Sequence, residues 1–414
     1  MFRRLPEPTS PGRVVLLLTV ALLINYIDRG NLATAGPLLL NELKLSPTRL
    51  GTLLSAFYVA YAVAMVPAGW LADRYGAKLV LSFGVALWSL ATFLTGFVSG
   101  FASLLVLRLL LGVGEAPIMP GTSKLIRAGV SSGRIGFANG VLGFGYQIGP
   151  AVGTFVGGLL MVRLGWRPVF VMFGALSLLW LLPWGRVQIT EATSRNGGAD
   201  STESPRFGAI VRQRALWGAS LGSFGMNYSF FFILAWLPTY LVKARGFSMD
   251  EMAQIAAPAY ALCAVTALIG GLWIDRCTRV CGSSSGAQKW LMVLGYLSSL
   301  IAMIGMVLLP RHGSIVCLYV YELFTGLASP CLYAAGQIFA GAGATARWVG
   351  VQNLCGILSG ILAPALTGVL VDASGSYISA FVVAGVANII GFIGWVLIMP
   401  RIAPVEWDSL AKAA

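Results

Sequence analysis

Charged residues are scarce in this chain. Asp, Glu, Lys and Arg make up 10% of its 414 residues, where an ordinary soluble domain carries about a quarter, so a soluble enzyme is excluded. There is one histidine, His312. It falls in a short loop, reads as a solvated residue, and cannot carry the main chemistry. No G-x-x-x-x-G-K-[ST] loop occurs, so no ATP site is expected. Of the six cysteines, Cys263, Cys317, Cys331 and Cys355 fall inside apolar runs, where thiols serve as small packing residues. Cys277 and Cys281 lack the further Cys or His that a zinc site needs. All six read as free thiols, and neither metal nor cofactor is expected. Long polar stretches are equally rare; the main one runs from Arg186 to Arg214 and is rich in Gly, Ser and charge, as flexible linkers are.

What the chain has in quantity is apolar surface: 57% hydrophobic residues and a mean hydropathy of +0.82. Apolar runs long enough to cross a bilayer recur twelve times, the first at about 14–40, the fourth at 102–126, the tenth at 313–340 and the last at 377–399. The expected fold is an all-α membrane protein of twelve transmembrane helices in two six-helix bundles. The first bundle is placed at 1–186, a linker at 187–214 and the second bundle at 215–414. The first run carries Asp28-Arg29 near its middle and is too long for a signal peptide, so it is expected to remain as a helix.

The formal charge of +13 is an orientation signal rather than a nucleic-acid footprint. With the N-terminus inside, 19 Lys and Arg fall in the inner loops and tails and 7 in the outer loops, which assigns both termini to the cytoplasm.

Within the apolar runs lie a few charges that need a reason. Asn25-Tyr26-Ile27-Asp28-Arg29 sits in the first run, and Arg108 and Glu115 in the fourth. An ionised side chain in hydrocarbon costs at least roughly 2.5 to 3.5 kcal/mol, so such groups face a protein interior or a watery cavity and mark pathways. Arg108 and Glu115 are two turns apart, nearly on one stripe. Arg29 presents a donor fork that matches a carboxylate, with Tyr26 one turn away. Asp28 is turned about 100° from Arg29 and is expected to face a neighbouring helix, with Arg108 as its partner. The alternative is a buried ion pair that only locks helices together.

The two halves carry a weak repeat. Gly69-Trp70-Leu71-Ala72-Asp73-Arg74-Tyr75-Gly76-Ala77-Lys78 follows the second run, and Gly271-Leu272-Trp273-Ile274-Asp275-Arg276-Cys277-Thr278-Arg279 follows the eighth. The first copy resembles the signature loop of the major facilitator superfamily; the second departs from it, with Thr278 where the Gly belongs. This resemblance implies gating roles for Asp73 and Arg74, and by repetition for Asp275 and Arg276. The set Tyr26-x-Asp28-Arg29 with Arg108-x6-Glu115 is similar to that of the anion:cation symporter branch, which includes bacterial sugar-acid importers. The likeness to the branch implies substrate contacts at Tyr26, Arg29, Tyr61, Arg108, Gln147 and Asn353, with Tyr333 or Gln337 on the tenth helix, in a cavity near the midplane, and the aromatic cluster of the seventh run offers Asn227 and Tyr228 near that cavity. Asp28 and Glu115 are then the proton-coupling acids. Gly145-x-x-x-Gly149-Pro150-x-x-Gly153 pulls the other way. It resembles the motif of proton-coupled drug antiporters, although the pattern's final Gly is Thr154 here, and small-residue helix packing is the alternative reading.

The resulting expectation is a proton-coupled symporter of a small organic anion, a sugar acid such as a hexonate, hexarate or hexuronate, in a bacterial inner membrane. The alternatives are a proton antiporter exporting drugs or other solutes and, as a third class, a membrane receptor or scaffold without transport. Expected partners are the anion, protons and the lipid bilayer, with no nucleic acid, and the chain is expected to work as a monomer.

Overall fold

A computed structural model of the chain describes residues 9–130, 135–188, 205, 207–405 and 407. Among them are twelve helices long and apolar enough to cross a membrane: α1 (Pro11–Glu42), α2 (Pro47–Tyr75), α3 (Ala77–Thr95), α4 (Phe101–Ile126), α5 (Gly140–Leu164), α6 (Trp166–Gly185), α7 (Arg214–Ala244), α8 (Met249–Cys281), α9 (Ser285–Leu308), α10 (Arg311–Gly341), α11 (Arg347–Ser374) and α12 (Ile378–Ile398). Large apolar side chains such as Val63, Phe83, Ile301 and Val382 stand exposed on them, as surfaces meant for lipid do.

Local chemistry sets the helix ends. Pro11 and Pro47 open α1 and α2, where the missing N–H costs nothing, and the Ser46 hydroxyl accepts from the Arg49 N–H at 3.2 Å as an N-cap. Gly76 takes φ +94° between α2 and α3, so the glycine of the Asp-Arg-x-Gly loop supplies a turn a side chain would strain. Gly341, at φ +62°, interrupts an otherwise continuous helical path between α10 and α11. The helix of α4 breaks at Ala116-Pro117, directly after Glu115, and resumes at Ile118, because proline has no N–H to donate to the carbonyl of the preceding turn.

The chain forms two compact units. The first holds the described residues up to Arg195 together with Leu234–Ala257; the second holds those from Asn196 to Ile233 and from Pro258 onward. The sequence puts a bundle boundary at the linker, and the first unit additionally takes in the last part of α7 and the start of α8.

Within the first unit, α1 and α5 meet along Gly145, Gly149 and Gly153, which lie against Thr19, Tyr26 and Ile27. Gly112 of α4 touches the α2 backbone at Phe57, and Gly114 of α4 meets Gly84 and Trp88 of α3. Lipid tails are as apolar as leucine, so such helices associate through close packing and hydrogen bonds, and small residues let the backbones approach. From the end of α7, Thr239 lies beside Gly36 of α1, and Lys243 Nζ donates to Asn41 Oδ1. Within the second unit, Gly218 and Gly225 of α7 pack on α12, Gly270 of α8 on Leu327 of α10, and Gly295 of α9 on Ala328 of α10. Asn388 Nδ2 donates to Ser299 Oγ at 2.8 Å, tying α12 to α9.

Candidate functional site

A polar stripe runs down α1 at one-turn spacing. Asn25, Asp28, Asn31 and Thr34 are all buried, and Thr34 Oγ1 lies 3.4 Å from Thr154 Oγ1 of α5. Arg29 leaves the helix beside this stripe. Its Nε donates to Glu115 Oε2 of α4 at 2.8 Å, with the two side chains 7% and 0% exposed. The guanidinium carbon lies 4.5 Å from the ring centre of Tyr26, 5.1 Å from Phe57 and 4.8 Å from Tyr61, so aromatic faces reinforce the charge. Arg29 Nη2 is buried and has no hydrogen-bond partner among the described residues. Arg29 and Arg108 line one narrow cavity of the first unit with Ala33, Leu54, Phe57, Tyr58, Leu234 and Ala235.

The pairing differs from the expected one. Arg108, buried on α4, has no carboxylate within 4 Å among the described residues. Asp28 accepts from Asn31 Nδ2 at 3.4 Å and meets Thr92 of α3. Arg108 therefore does not clasp Asp28, although each lies in the other's field. The rotation of α1 explains this: Arg29 is level with Glu115, and Asp28, about 100° further round, points toward α3. Two buried arginines and two buried acids thus lie in one another's fields, with only the Arg29–Glu115 pair closed among the described residues.

Gln147 is half-buried on α5, and it is its neighbour Tyr146 that meets Tyr26, with ring centres 5.3 Å apart and the planes tilted by 37°. The α5 glycines serve as the α1 contact surface, which is the packing reading of that run.

In the second unit, Asn227 Nδ2 donates to Ser223 O of its own helix and lies against Gly356 of α11. Tyr228 is buried beside Phe224. Tyr333 and Gln337 are exposed one turn apart on α10, and Asn353 is half-buried on α11. The hydrogen-bonded centre here is Gln352, whose Nε2 donates to Ser223 Oγ and Leu332 O, both at 2.7 Å. Spacing alone does not select Gln352. Phe57 and Tyr58, by contrast, were reachable from Tyr61, lying one turn before it on α2.

At the end of α2, Asp73 Oδ1 accepts from Lys124 Nζ of α4 at 3.0 Å, and the same ammonium donates to Ala72 O at 2.8 Å. Arg74 lies over Trp70 and Tyr75 of its own helix. The second-copy residues Asp275 and Arg276 are exposed, with no ion pair among the described residues.

Twelve apolar helices among the described residues, with a buried arginine–carboxylate pair in the first unit, define a multi-pass membrane transporter. The chain belongs to the Major Facilitator Superfamily, whose family model matches residues 18–356. It is 29% identical over 406 residues to the probable L-galactonate transporter of Escherichia coli, covering 93% of this chain and 88% of that protein. It is likewise 29% identical to the hexuronate transporter of Bacillus subtilis, covering 90% of each. A probable galactarate/D-glucarate transporter of Escherichia coli is 26% identical, over 96% of this chain and 95% of the relative. Among solved structures, a bacterial homologue of the lysosomal transporter Spinster superposes with a TM-score of 0.81 at 20% identity, covering 96% of this chain and 98% of that one. A D-xylose–proton symporter superposes at 0.76 with 14% identity, covering 95% and 99%. These likenesses show the fold.

Proposed function

We propose that the chain is a proton-coupled symporter of a small organic anion, a sugar acid of the hexonate, hexarate or hexuronate kind. The observation that carries this reading is the Arg29–Glu115 pair, whose arginine lines a cavity together with Arg108. A substrate carboxylate and the Glu115 carboxylate compete for one guanidinium. A proton on Glu115 cancels the charge that holds Arg29 and frees its fork for the substrate. Proton and anion then favour each other's binding, and by linkage the effect is reciprocal. Arg108 is the second cation for the anion, and Asp28, in its field, is the second acid. In the first unit Tyr26, Tyr61 and Gln147 supply hydrogen bonds to sugar hydroxyls; the second unit's own candidates for substrate contact are Asn227, Tyr228, Tyr333 and Asn353. The relatives named for L-galactonate, hexuronate and galactarate/D-glucarate transport support a sugar acid over an aromatic one.

In this reading both termini lie in the cytoplasm and the protein acts as a monomer of a bacterial inner membrane. Asp73 and Arg74, with Asp275 and Arg276, set the balance between inward-open and outward-open states. The test is a screen in proteoliposomes with an imposed pH gradient, using labelled L-galactonate, glucuronate, D-glucarate and an aromatic acid. Gradient-driven accumulation of a sugar acid is expected. Extrusion of a cationic dye with no acid uptake would overturn the reading in favour of drug antiport.

A further inference from the structure

The second unit buries an acid that no part of this mechanism uses. Glu322, near the middle of α10, is 2% exposed and has no lysine or arginine paired with it among the described residues. Its carboxyl is hydrogen-bonded by the Cys263 thiol of α8. Around it stand Tyr260 on α8 and Tyr321 on its own helix, both buried. The Tyr260 hydroxyl has no hydrogen-bond partner among the described residues. The titratable groups facing Glu322 among the described residues are therefore two phenols and a thiol, with no cation.

The helices are also pressed together at this level. One turn along α10, Gly326 lies against Thr266 and the Cys263 backbone, and one turn along α8 from Thr266, Gly270 lies against Leu327. A lone carboxylate between helices packed this closely has no counter-charge among the described residues, and the burial cost selects the neutral, proton-bearing form. Release requires an acceptor. The O–H bond breaks, the proton passes to water, and a carboxylate remains that can no longer be tolerated between closely packed helices.

We propose that Glu322 is a second proton-binding site, in the second unit, whose occupancy is tied to the closure of α8 on α10: protonated when the seam is closed, ionised when water enters it. Acid pH then favours the closed seam and alkaline pH the open one, by reciprocal linkage. The inference extends the proton-coupled reading but stands on separate residues, and its test needs neither substrate nor transport.

The experiment uses the full-length protein in lipid, without ligand. Infrared spectra at neutral pH should contain a protonated-carboxyl C=O band that disappears in Glu322→Gln and shifts in Glu322→Asp. Amide hydrogen exchange in α8 and α10, corrected for the intrinsic pH effect, should rise with pH in the native protein and in Glu322→Asp. It should stay flat in Glu322→Gln, which imitates the protonated acid. A band unchanged in Glu322→Gln, or an exchange–pH profile in that variant matching the native one, overturns the proposal. If Glu322→Gln does not fold, the band in Glu322→Asp decides alone: a shift supports the proposal, and no shift overturns it. Should uptake by the native protein ignore a pH gradient, the symport reading fails while these spectra still judge Glu322.

Discussion

Arg29 Nε and Glu115 Oε2, 86 residues apart in the chain, lie 2.8 Å from each other and almost out of reach of solvent. In the proposed mechanism this pair keeps the cation from an anion until the acid is discharged, and from this a pH dependence follows. Anion affinity should rise as pH falls, because protonated Glu115 no longer competes for the guanidinium. In Glu115→Gln that dependence should flatten. Isothermal titration with L-galactonate at a series of pH values checks the sign; affinity that falls on acidification in the native protein contradicts it.

The same variant separates exchange from accumulation. A carrier fixed in the protonated form can reorient when loaded but cannot return a proton, so counterflow should persist while pH-driven uptake is lost. Both are measured in one proteoliposome preparation, with and without a potassium diffusion potential. One net charge crossing is worth about 2.3 kcal/mol per 100 mV, so a monovalent anion with two protons responds to an inside-negative potential and one with a single proton does not. If Glu115→Gln still concentrates substrate, Asp28 is the remaining candidate.

Arg29→Lys keeps the charge but loses the fork and the planar face that lies over Tyr26 and Tyr61. Binding should weaken at least tenfold, and Arg29→Ala should abolish it. Near-native affinity in the lysine variant would show that charge alone suffices.

Asp73→Asn removes an exposed ion pair with Lys124, and such pairs contribute only about 0–1 kcal/mol to stability. Thermal stability should therefore stay near native, intrinsic affinity should be kept, and transport should fall through a shifted conformational balance. Cysteine accessibility from each side of the membrane reads that balance. Lost transport with unchanged labelling would place the defect elsewhere.

Gly149→Val places a branched side chain where α5 meets Leu23 and Tyr26 of α1. Overpacking of this kind costs about 1–3 kcal/mol and should also displace the ring that lies under Arg29. A lowered melting temperature together with weakened binding is expected; native values of both would show that the seam has slack.

Much of this was legible before the structure. Hydropathy located the helices, and the depth of Asp28, Arg29, Arg108 and Glu115 singled them out. What spacing could not give was who faces whom. Arg108 and Glu115 share a stripe, yet the acid pairs with Arg29, because the rotation of α1 and its level against α4 come from glycine contacts at Gly112, Gly149 and Gly153. On α11 the residue that bridges helices is Gln352 rather than Asn353, a difference of one position and about 100°. Glu322 escapes notice in the sequence because it is a single acid in an apolar run, with neither a basic companion nor a motif.

The break at Pro117 divides α4 into two arms. The arm before it carries Arg108 and Glu115; the arm after it carries Lys124, which grips the end of α2 through Asp73 and Ala72. A change of angle at that joint moves an acid in the pocket and a clasp at the membrane face in one stroke. In the proposed reading a single proline stands between the loading acid and the latch, and Pro117→Ala, which restores the missing donor and stiffens the joint, should leave each contact in place while fixing the angle between the two arms.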